Sequence, residues 1–204
     1  SFLPGLIMQN NSHELLRKKV ITMFPDIKEE EYTAFQEIFI PSVYPGKYIL
    51  SKAGKPAGEL YFINKGCLRL FYETQDEQRT LFFAFENQFT GPCRSFMTGE
   101  PNRQIFETLE ESELLVMKRE PFELALEKFP RLALLRSMIA EENLFITESI
   151  VSFLLLNSPE ERYKNLIEHN PQILQRVPQY LIASYLGISP VSLSRIRKRI
   201  VAKK

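Results

Sequence analysis

The chain has 204 residues, of which 44% are hydrophobic and 25% charged, and its formal net charge is +1 at pH 7. That length can bury one sizeable core and a second, smaller one. No apolar run reaches the roughly 18 residues that a membrane span needs, and the first residues lack the basic and long apolar regions of a signal peptide. We therefore expect a cytoplasmic protein that has no membrane partner.

Cysteines and histidines are too few to build a metal centre from neighbouring residues. The chain has two of each, Cys67 and Cys93, and His13 and His169, and it has no CxxC motif. This excludes a locally assembled zinc site and a cysteine-ligated iron–sulfur cluster. The two separated cysteines suit a reducing compartment, and we interpret them as small packing residues. Neither a metal nor a cofactor is predicted.

The N-terminal part of the chain has helical spacing. From Asn11 to about Phe39, apolar residues recur three or four positions apart, which fits two short helices. The residues that set this spacing are Leu15, Leu16, Val20, Phe24, Tyr32, Phe35, Ile38 and Phe39. We expect these helices to flank the domain that follows.

From Val43 to Met117 the pattern changes to short β-rich runs separated by glycines. The runs are YPGKYILSKAGKP, ELYFINKGCLRLFYE, RTLFFAFENQF and RQIFETLEESELLVMK. The glycines of this region are Gly46, Gly54, Gly58, Gly66, Gly91 and Gly99. Short strands joined at glycine turns are typical of antiparallel sheets. The sequence predicts an antiparallel barrel or roll here.

Helical spacing returns after Glu120 and predicts a long helix from Pro130 to about Leu156, with the proline in its first turn. Two apolar stripes run along this helix, so it must be covered on two sides. Either its own domain buries it, or it packs on the roll with one face and on a twin helix with the other. The segment from Asn157 to Glu161 ends it, and Ser158 is predicted to cap the next helix.

The segment IASYLGISPVSLSRIRKRI near the C-terminus fits a helix-turn-helix. With Gln179 as the first of twenty positions, apolar residues fall at all five places that hold two crossed helices together: Ile182, Leu186, Ile188, Leu193 and Ile196. Ala183 is small where the second helix passes close, and Gly187 lies at the turn, where a positive φ is often needed. Ser189 caps the second helix and Pro190 opens it. Together these features indicate DNA binding.

The second helix is predicted to read base edges in the major groove with its N-terminal side chains. Arg195 can donate two hydrogen bonds to guanine, and Val191 can contact a thymine methyl group. The alternative for Arg195 is a phosphate contact or a salt bridge. The full predicted DNA-binding set is Ser189, Pro190, Val191, Ser192, Ser194, Arg195, Arg197, Lys198 and Arg199, of which the last three would mostly neutralise phosphates.

The order of these parts, with the motifs PGKYILSKAGKPAGELYFINKGCLRLFYE and YLIASYLGISPVSLSRIRKRI, resembles the Crp/Fnr superfamily of bacterial transcription regulators, in the form common in Bacteroidetes. The resemblance starts at about Tyr44. It implies an α+β fold, in which an N-terminal antiparallel β-roll of the cyclic-nucleotide-binding, jelly-roll type has flanking helices. A long dimerisation helix and a C-terminal helix-turn-helix domain follow. The corresponding domain ranges are 1–129, 130–157 and 158–204.

The same resemblance implies partners. A homodimer would form through residues about 130–156, each recognition helix would read one half-site of double-stranded DNA, and RNA polymerase would be a further partner. Two-fold symmetry then places the half-sites about 34 Å apart. Whether the protein activates or represses is not encoded in these motifs.

The chain departs from the cyclic-nucleotide binders of this family in the segment FTGPCRSFMTGEPNRQIFE. Gly91 matches, but Pro92 stands where those proteins have the ribose-binding glutamate, and Asn102 falls at the phosphate-binding arginine position. Proline offers neither the side-chain acceptor oxygens of glutamate nor a backbone N–H. We therefore expect that cyclic AMP is not bound, and these residues identify no other effector. Gly91, Arg94 and Arg103 are the candidate effector-binding residues, and the alternative is that both arginines are exposed turn residues.

Two rival functions remain at this point. A cupin-like enzyme would need clustered metal ligands, and the predicted roll from Val43 to Met117 has no histidine, so no catalytic residue is assigned. A ligand-binding or interaction module, whose helix-turn-helix contacts protein instead of DNA, is the second rival. The segment EHNPQILQRVPQ lacks the alternation of a wing hairpin, so wing contacts to DNA are not expected.

Overall fold

The computed structural model describes residues 12–202. Two helices, α1 (Glu14–Met23) and α2 (Glu29–Glu37), come first and confirm the helical spacing of this region. The predicted start at Asn11 lies outside the described residues.

The strands and the remaining helices follow in chain order. The strands are β1 (Phe39–Tyr44), β2 (Ile49–Ser51), β3 (Glu59–Lys65), β4 (Leu68–Glu73), β5 (Gln78–Ala84), β6 (Phe89–Thr90), β7 (Ile105–Thr108) and β8 (Ser112–Lys118). A short helix, α3 (Cys93–Thr98), joins β6 to β7. The C-terminal helices are α4 (Arg119–Lys128), α5 (Leu132–Leu156), α6 (Pro159–His169), α7 (Ile173–Arg176), α8 (Gln179–Tyr185) and α9 (Pro190–Ala202).

The strands form two four-stranded sheets, with the orders β1-β8-β3-β6 and β2-β7-β4-β5. Every neighbouring pair is antiparallel, which confirms the predicted roll. Strand β5 is an edge strand of the second sheet, so one side of its backbone is free to bond with another part of the chain. No helix within residues 12–202 has both the length and the apolarity to cross a membrane.

Alternation along the strands produces three hydrophobic cores, because successive side chains point to opposite faces of a sheet. Between the sheets lie residues such as Tyr61 and Leu114, while their neighbours Phe62 and Leu115 point to the other face, under α1, α2, α4 and α5. On the second sheet, Phe83 and Phe85 point outward into a third core, which they share with α6, α8 and α9. The roll is therefore covered by helices on both outer faces.

Helix α5 has one buried and one exposed apolar face. Leu135 and Ile139 pack into the core under the first sheet. Leu144, Val151 and Leu155, which are seven and four residues apart, lie on the opposite side and are exposed. At 100° per residue this spacing forms a continuous apolar stripe. Helix α5 therefore packs on the roll with one apolar face only. Its other apolar face is available to the twin helix of the second predicted arrangement.

Two predicted element boundaries are wrong, for local reasons. Phe39 begins β1 and pairs with Met117, although its spacing places it in a helix. Its ring centroid lies 5.1 Å from that of Phe35, so the same hydrophobic contact pattern continues across the end of α2. Helix α5 starts at Leu132 and not at Pro130, because the N–H groups of residues 132–134 donate to carbonyls only three positions back, which forms a tighter turn.

Candidate nucleic-acid interface and effector cassette

Helices α8 and α9 pack together as a hairpin. Four of the five apolar positions predicted to hold them, Ile182, Leu186, Leu193 and Ile196, are fully buried, and Ile188 is half-buried. Ala183 is completely buried as well, as expected for a small residue where two helices come close. The apolar spacing therefore predicts this local packing correctly.

The turn between the two helices is held by two backbone hydrogen bonds. The Ile188 N–H donates to the Ala183 carbonyl at 3.0 Å, and the Gly187 N–H donates to the Ser184 carbonyl at 3.1 Å. This is the Schellman motif of helix C-termini, in which the residue after the helix adopts the left-handed backbone conformation. Gly187 has φ +69°, a conformation that side chains with a Cβ rarely adopt, and this explains the glycine.

Helix α9 begins with the predicted cap. The Ser189 hydroxyl accepts a hydrogen bond from the Ser192 N–H at 3.2 Å, and Pro190 follows as the first helical residue. The Ser189 and Ser192 hydroxyls also bond to each other at 3.0 Å. These two serines are therefore occupied with the helix end, whereas Ser194, one turn further, is exposed.

The predicted base-reading side chains lie on an exposed surface of α9. Pro190, Val191, Ser194 and Arg195 are exposed, and so is Lys198 one turn later. Neither Arg195 nor Lys198 forms an ion pair with any other residue in the range 12–202. The intramolecular salt bridge considered for Arg195 is thus absent from this part of the chain.

The other two basic residues of α9 have partners inside the chain. Arg197 donates to the Gln179 side chain at the start of α8. Arg199 lies 3.6 Å from the Glu160 carboxylate on α6, which also binds Lys164. All three residues of the predicted phosphate-binding group are exposed: Lys198 has no ion-pair partner within residues 12–202, and Arg197 and Arg199 each contact one neighbouring helix.

The hairpin docks onto the free edge of β5. The Ser184 hydroxyl accepts from the Thr80 N–H at 2.9 Å and donates to the Gln78 carbonyl at 3.0 Å. The side chains of Thr80 and Gln78 in turn bind the buried Arg69, which also pairs with Glu107 at 2.9 Å. Because Ser184 completes unpaired backbone groups of an edge strand, the hairpin and the roll are joined directly.

A second contact joins the C-terminal helices to the roll. It is an ion-pair cluster around Arg176, the last residue of α7. Its guanidinium binds both oxygens of Glu86 at 2.8 and 2.9 Å, contacts Glu110, and lies 5.1 Å from the Phe85 ring centroid. Burial alone would raise the pKa of Glu86, but hydrogen bonds from Arg176 and from the Gly66 N–H outweigh it and lower that pKa. The contact is therefore present above the ordinary glutamate pKa of 4.5 and is lost as the pH falls through the lower folded value.

Cys67 lies in the core that the roll shares with the helix-turn-helix region and is fully buried. Burial raises the pKa of its thiol to about 12, so little reactive thiolate forms while this core is closed. In a chain with Cys93→Ser, we expect Arg176→Gln to speed alkylation of Cys67 by about tenfold, since charge-assisted hydrogen bonds contribute about 1.5–3 kcal/mol. Mass spectrometry of the alkylated chain measures the rate.

The exposed Arg136 on α5 provides the matched control for this measurement. Arg136→Gln also removes one positive charge, and it is expected to leave the alkylation rate of Cys67 unchanged. Equal rates in the Arg176 and Arg136 variants would show that the ion-pair cluster does not hold the hairpin on the roll.

The effector cassette, by which we mean the segment FTGPCRSFMTGEPNRQIFE at residues 89–107, begins with β6. Gly91 has φ +141°, and a Cβ there would lie 2.7 Å from the Leu60 side chain, which accounts for the glycine. Pro92 is buried and precedes α3. Asn102 is also buried; its amide nitrogen donates to the Ser51 hydroxyl at 3.1 Å and to the Gln104 carbonyl. The residues at the two family positions are thus engaged within the protein itself.

The two candidate effector-binding arginines lie on the surface. Arg94 forms an ion pair with Glu100 at 3.0 Å, and its side chain is 84% exposed. Arg103 is exposed as well. Beside α3, an open groove of about 630 Å³ is lined by four other cations, Lys52, Lys55, Lys118 and Arg119, together with Glu59 and Glu120. The structure therefore does not bring Arg94 and Arg103 into this groove.

The sequence patterns did not identify three residues whose side chains join separate parts of the structure: Arg162, Arg176 and Ser184. Arg162 lies between the long helix and the turn of the hairpin, Arg176 joins α7 to the roll, and Ser184 joins the hairpin to the roll. Their partners Leu186, Glu86, Glu110, Thr80 and Gln78 lie 24 to 106 positions away along the chain. No local spacing or motif carries such a signal.

Comparisons with known proteins give a consistent result. Residues 41–129 match the family model of the cyclic nucleotide-binding domain. No curated protein sequence matches the chain.

Solved structures resemble most of the chain. The c-di-GMP responsive global regulator CLP of Xanthomonas campestris has 19% identity and a TM-score of 0.69, covering 86% of this chain and 93% of that one. FixK2 of Bradyrhizobium japonicum has 15% identity and a TM-score of 0.67, covering 81% and 86%. The catabolite activator protein of Thermus thermophilus has 20% identity and a TM-score of 0.52, covering 89% and 87%. At these identities the likeness concerns the fold.

Proposed function

Because the chain contains a cyclic nucleotide-binding domain and has the fold of the Crp/Fnr transcription regulators, we propose that it is a homodimeric, sequence-specific DNA-binding regulator. Its division into a roll (1–129), a dimer helix (130–157) and a DNA-binding domain (158–204) is part of this proposal. RNA polymerase is the proposed partner on the promoter, and the cytoplasm is the proposed location. No catalytic role is proposed for any residue.

The observation that carries the proposal is the exposed N-terminal surface of α9 on a hairpin with a buried core. Val191, Ser194 and Arg195 face solvent, whereas the buried side of the hairpin is fastened to the roll through Ser184. A recognition helix needs this arrangement, because its N-terminal side chains must reach base edges without rearranging the hairpin core. Arg195 is proposed to read guanine, and Arg197, Lys198 and Arg199 to neutralise phosphates.

The exposed stripe of α5 supports the homodimer. Leu144, Val151 and Leu155 have the seven-and-four spacing by which helices pack against each other in coiled coils. A second copy of the same stripe, related by two-fold symmetry, would cover these side chains and place two α9 helices on successive major grooves.

The salt dependence of DNA binding tests the proposal. With about three basic contacts in each subunit, the affinity for random duplex DNA is expected to fall roughly 10³-fold between about 50 and 200 mM salt, because each neutralised phosphate releases counterions. Fluorescence anisotropy with a labelled random duplex measures this slope. A hairpin that contacts protein instead of DNA gives little binding and no such slope, and that result would favour the interaction module.

Cyclic AMP is proposed not to be the effector. Support comes from Pro92, which offers a ribose neither a carboxylate nor an N–H, and from Asn102, whose amide already binds Ser51 and Gln104. Isothermal titration calorimetry of the full chain with cyclic AMP is expected to give no binding heat at micromolar concentrations. A micromolar dissociation constant would contradict this assignment. Arg94 and Arg103 remain proposed contacts for a different anionic effector that reaches the surface of the cassette.

A further inference from the structure

A single guanidinium, that of Arg162 on α6, connects three parts of the C-terminal region. Its Nε donates to the Asn157 carbonyl at 3.0 Å, its Nη2 to the Leu154 carbonyl at 2.7 Å, and its Nη1 to the Leu186 carbonyl at 2.8 Å. The first two carbonyls belong to the end of the long helix α5. The third belongs to the end of α8, directly before the turn glycine.

All three acceptors are carbonyls at or beside a helix C-terminus. A helix leaves its last four carbonyls without a partner of its own, and the same ends carry partial negative charge. A cation that donates to them satisfies both needs at once. Arginine does so in a fixed geometry, because its five N–H donors form a planar fork, whereas lysine presents a flexible point charge.

The surroundings of Arg162 restrict it further. A Cβ added at Gly187 would lie 3.4 Å from Nη1, so the turn of the hairpin passes directly beside the guanidinium. The start of α6 is fixed by a capping box, in which the Ser158 N–H donates to the Glu161 carboxylate at 2.7 Å. Glu160 of the same first turn contacts Arg199 of α9. Helix α6 is thus held at both α5 and α9, with Arg162 at the junction.

We propose that Arg162 is a positioning residue that sets the angle between the dimer helix and the recognition helix, and thereby the spacing of the two DNA half-sites that the dimer accepts. The inference rests on the proposed function, because spacing has meaning only for a dimer that reads two half-sites. Arg162 itself touches no DNA in this account. It acts by joining the end of the helix that carries the dimer stripe to the turn that presents α9.

The consequence for DNA is geometric. Adding one base pair between the half-sites rotates one of them by roughly 35° about the helix axis, since a turn contains 10–10.5 base pairs. A rigid junction cannot follow this rotation, so the wild-type dimer is expected to lose about tenfold in affinity, comparable to one mismatched base pair. A junction without the arginine fork adapts, and the loss becomes small.

The experiment begins with selection of an operator from a random duplex library by the wild-type protein. Half-site spacing is then varied by one and two base pairs, and affinities are measured for wild type, Arg162→Lys and Arg162→Gln. We expect both variants to bind the original spacing within about threefold of wild type and to lose the spacing preference. Arg17→Lys on α1, where the guanidinium also donates two hydrogen bonds, to Glu29, is the matched control and is expected to keep it.

The outcomes separate this inference from the proposed function. If the wild type selects no two-fold symmetric operator, the proposed function fails and the inference fails with it. If the wild type has a sharp spacing preference that both Arg162 variants share, the inference alone fails. If both variants lose their cooperative thermal unfolding transition, Arg162 is needed for folding itself, and its positioning role is overturned.

Discussion

Replacing Arg195 with alanine is expected to reduce strongly the preference for the selected operator over random DNA while leaving residual binding. A bidentate arginine–guanine pair contributes about 1–3 kcal/mol of discrimination, and a symmetric dimer contains two of them, so the combined loss is roughly 30-fold or more. The exposed position of Arg195 means that its removal leaves no buried partner unsatisfied. Competition of labelled operator with random duplex measures the specificity ratio.

Lys198→Ala is the matched variant, because Lys198 is equally exposed on the same helix. It is expected to weaken binding to operator and random DNA alike, and to lower the slope of log affinity against log salt by about 0.9 for each subunit. If Arg195→Ala behaves in the same uniform way, Arg195 contacts phosphate and does not read a base.

Replacing Leu144 with glutamate is expected to convert the dimer into monomers and to remove operator binding with it. Burying a leucine contributes about 1.5–3 kcal/mol, and two-fold symmetry counts it twice, so the dimer dissociation constant should rise by roughly 10²–10⁴-fold. Analytical ultracentrifugation over a concentration series measures this constant.

Leu124→Glu is the control for the dimer interface. Leu124 on α4 is 60% exposed, compared with 62% for Leu144, but it lies outside the α5 stripe. The same change in polarity at this position is expected to leave the dimer intact. Unaltered association of the Leu144 variant would show that the dimer forms elsewhere. The Leu124 variant should also keep the wild-type thermal unfolding midpoint.

The hairpin could be predicted from the sequence because its interactions are local. Ile182 and Ile196 are only fourteen positions apart, and the cap at Ser189 and the glycine turn at Gly187 each act within a few residues. Residue types and spacing are sufficient for such contacts, since helix geometry determines which positions face each other. The same holds for the Ser158 capping box.

The antiparallel strands of the roll could be predicted from the sequence, but the face of the sheet on which each apolar side chain lies could not. Glycine turns and β-rich runs indicate antiparallel strands, yet the runs around Phe62 and Phe83 are apolar on both faces, and alternation cannot assign either face. The structure assigns them, with Phe62 under the N-terminal helices and Phe83 against the hairpin. The helix boundaries at Phe39 and Pro130 are wrong because the apolar spacing extends past the end of α2 and ahead of the start of α5.

The sequence alone therefore determined the parts of this protein: two early helices, an antiparallel roll, a long helix with two apolar faces, and a capped helical hairpin with a cationic surface. Only the tertiary structure decided how the parts are joined. Arg162 connects the end of α5 to the hairpin, Arg176 binds Glu86 of the roll, and Ser184 binds the edge of β5. The physical reason is the distance along the chain between the interacting residues. Helix and strand periods act within a few residues, whereas these bonds join carbonyls, carboxylates and hydroxyls that become neighbours only after the chain has folded.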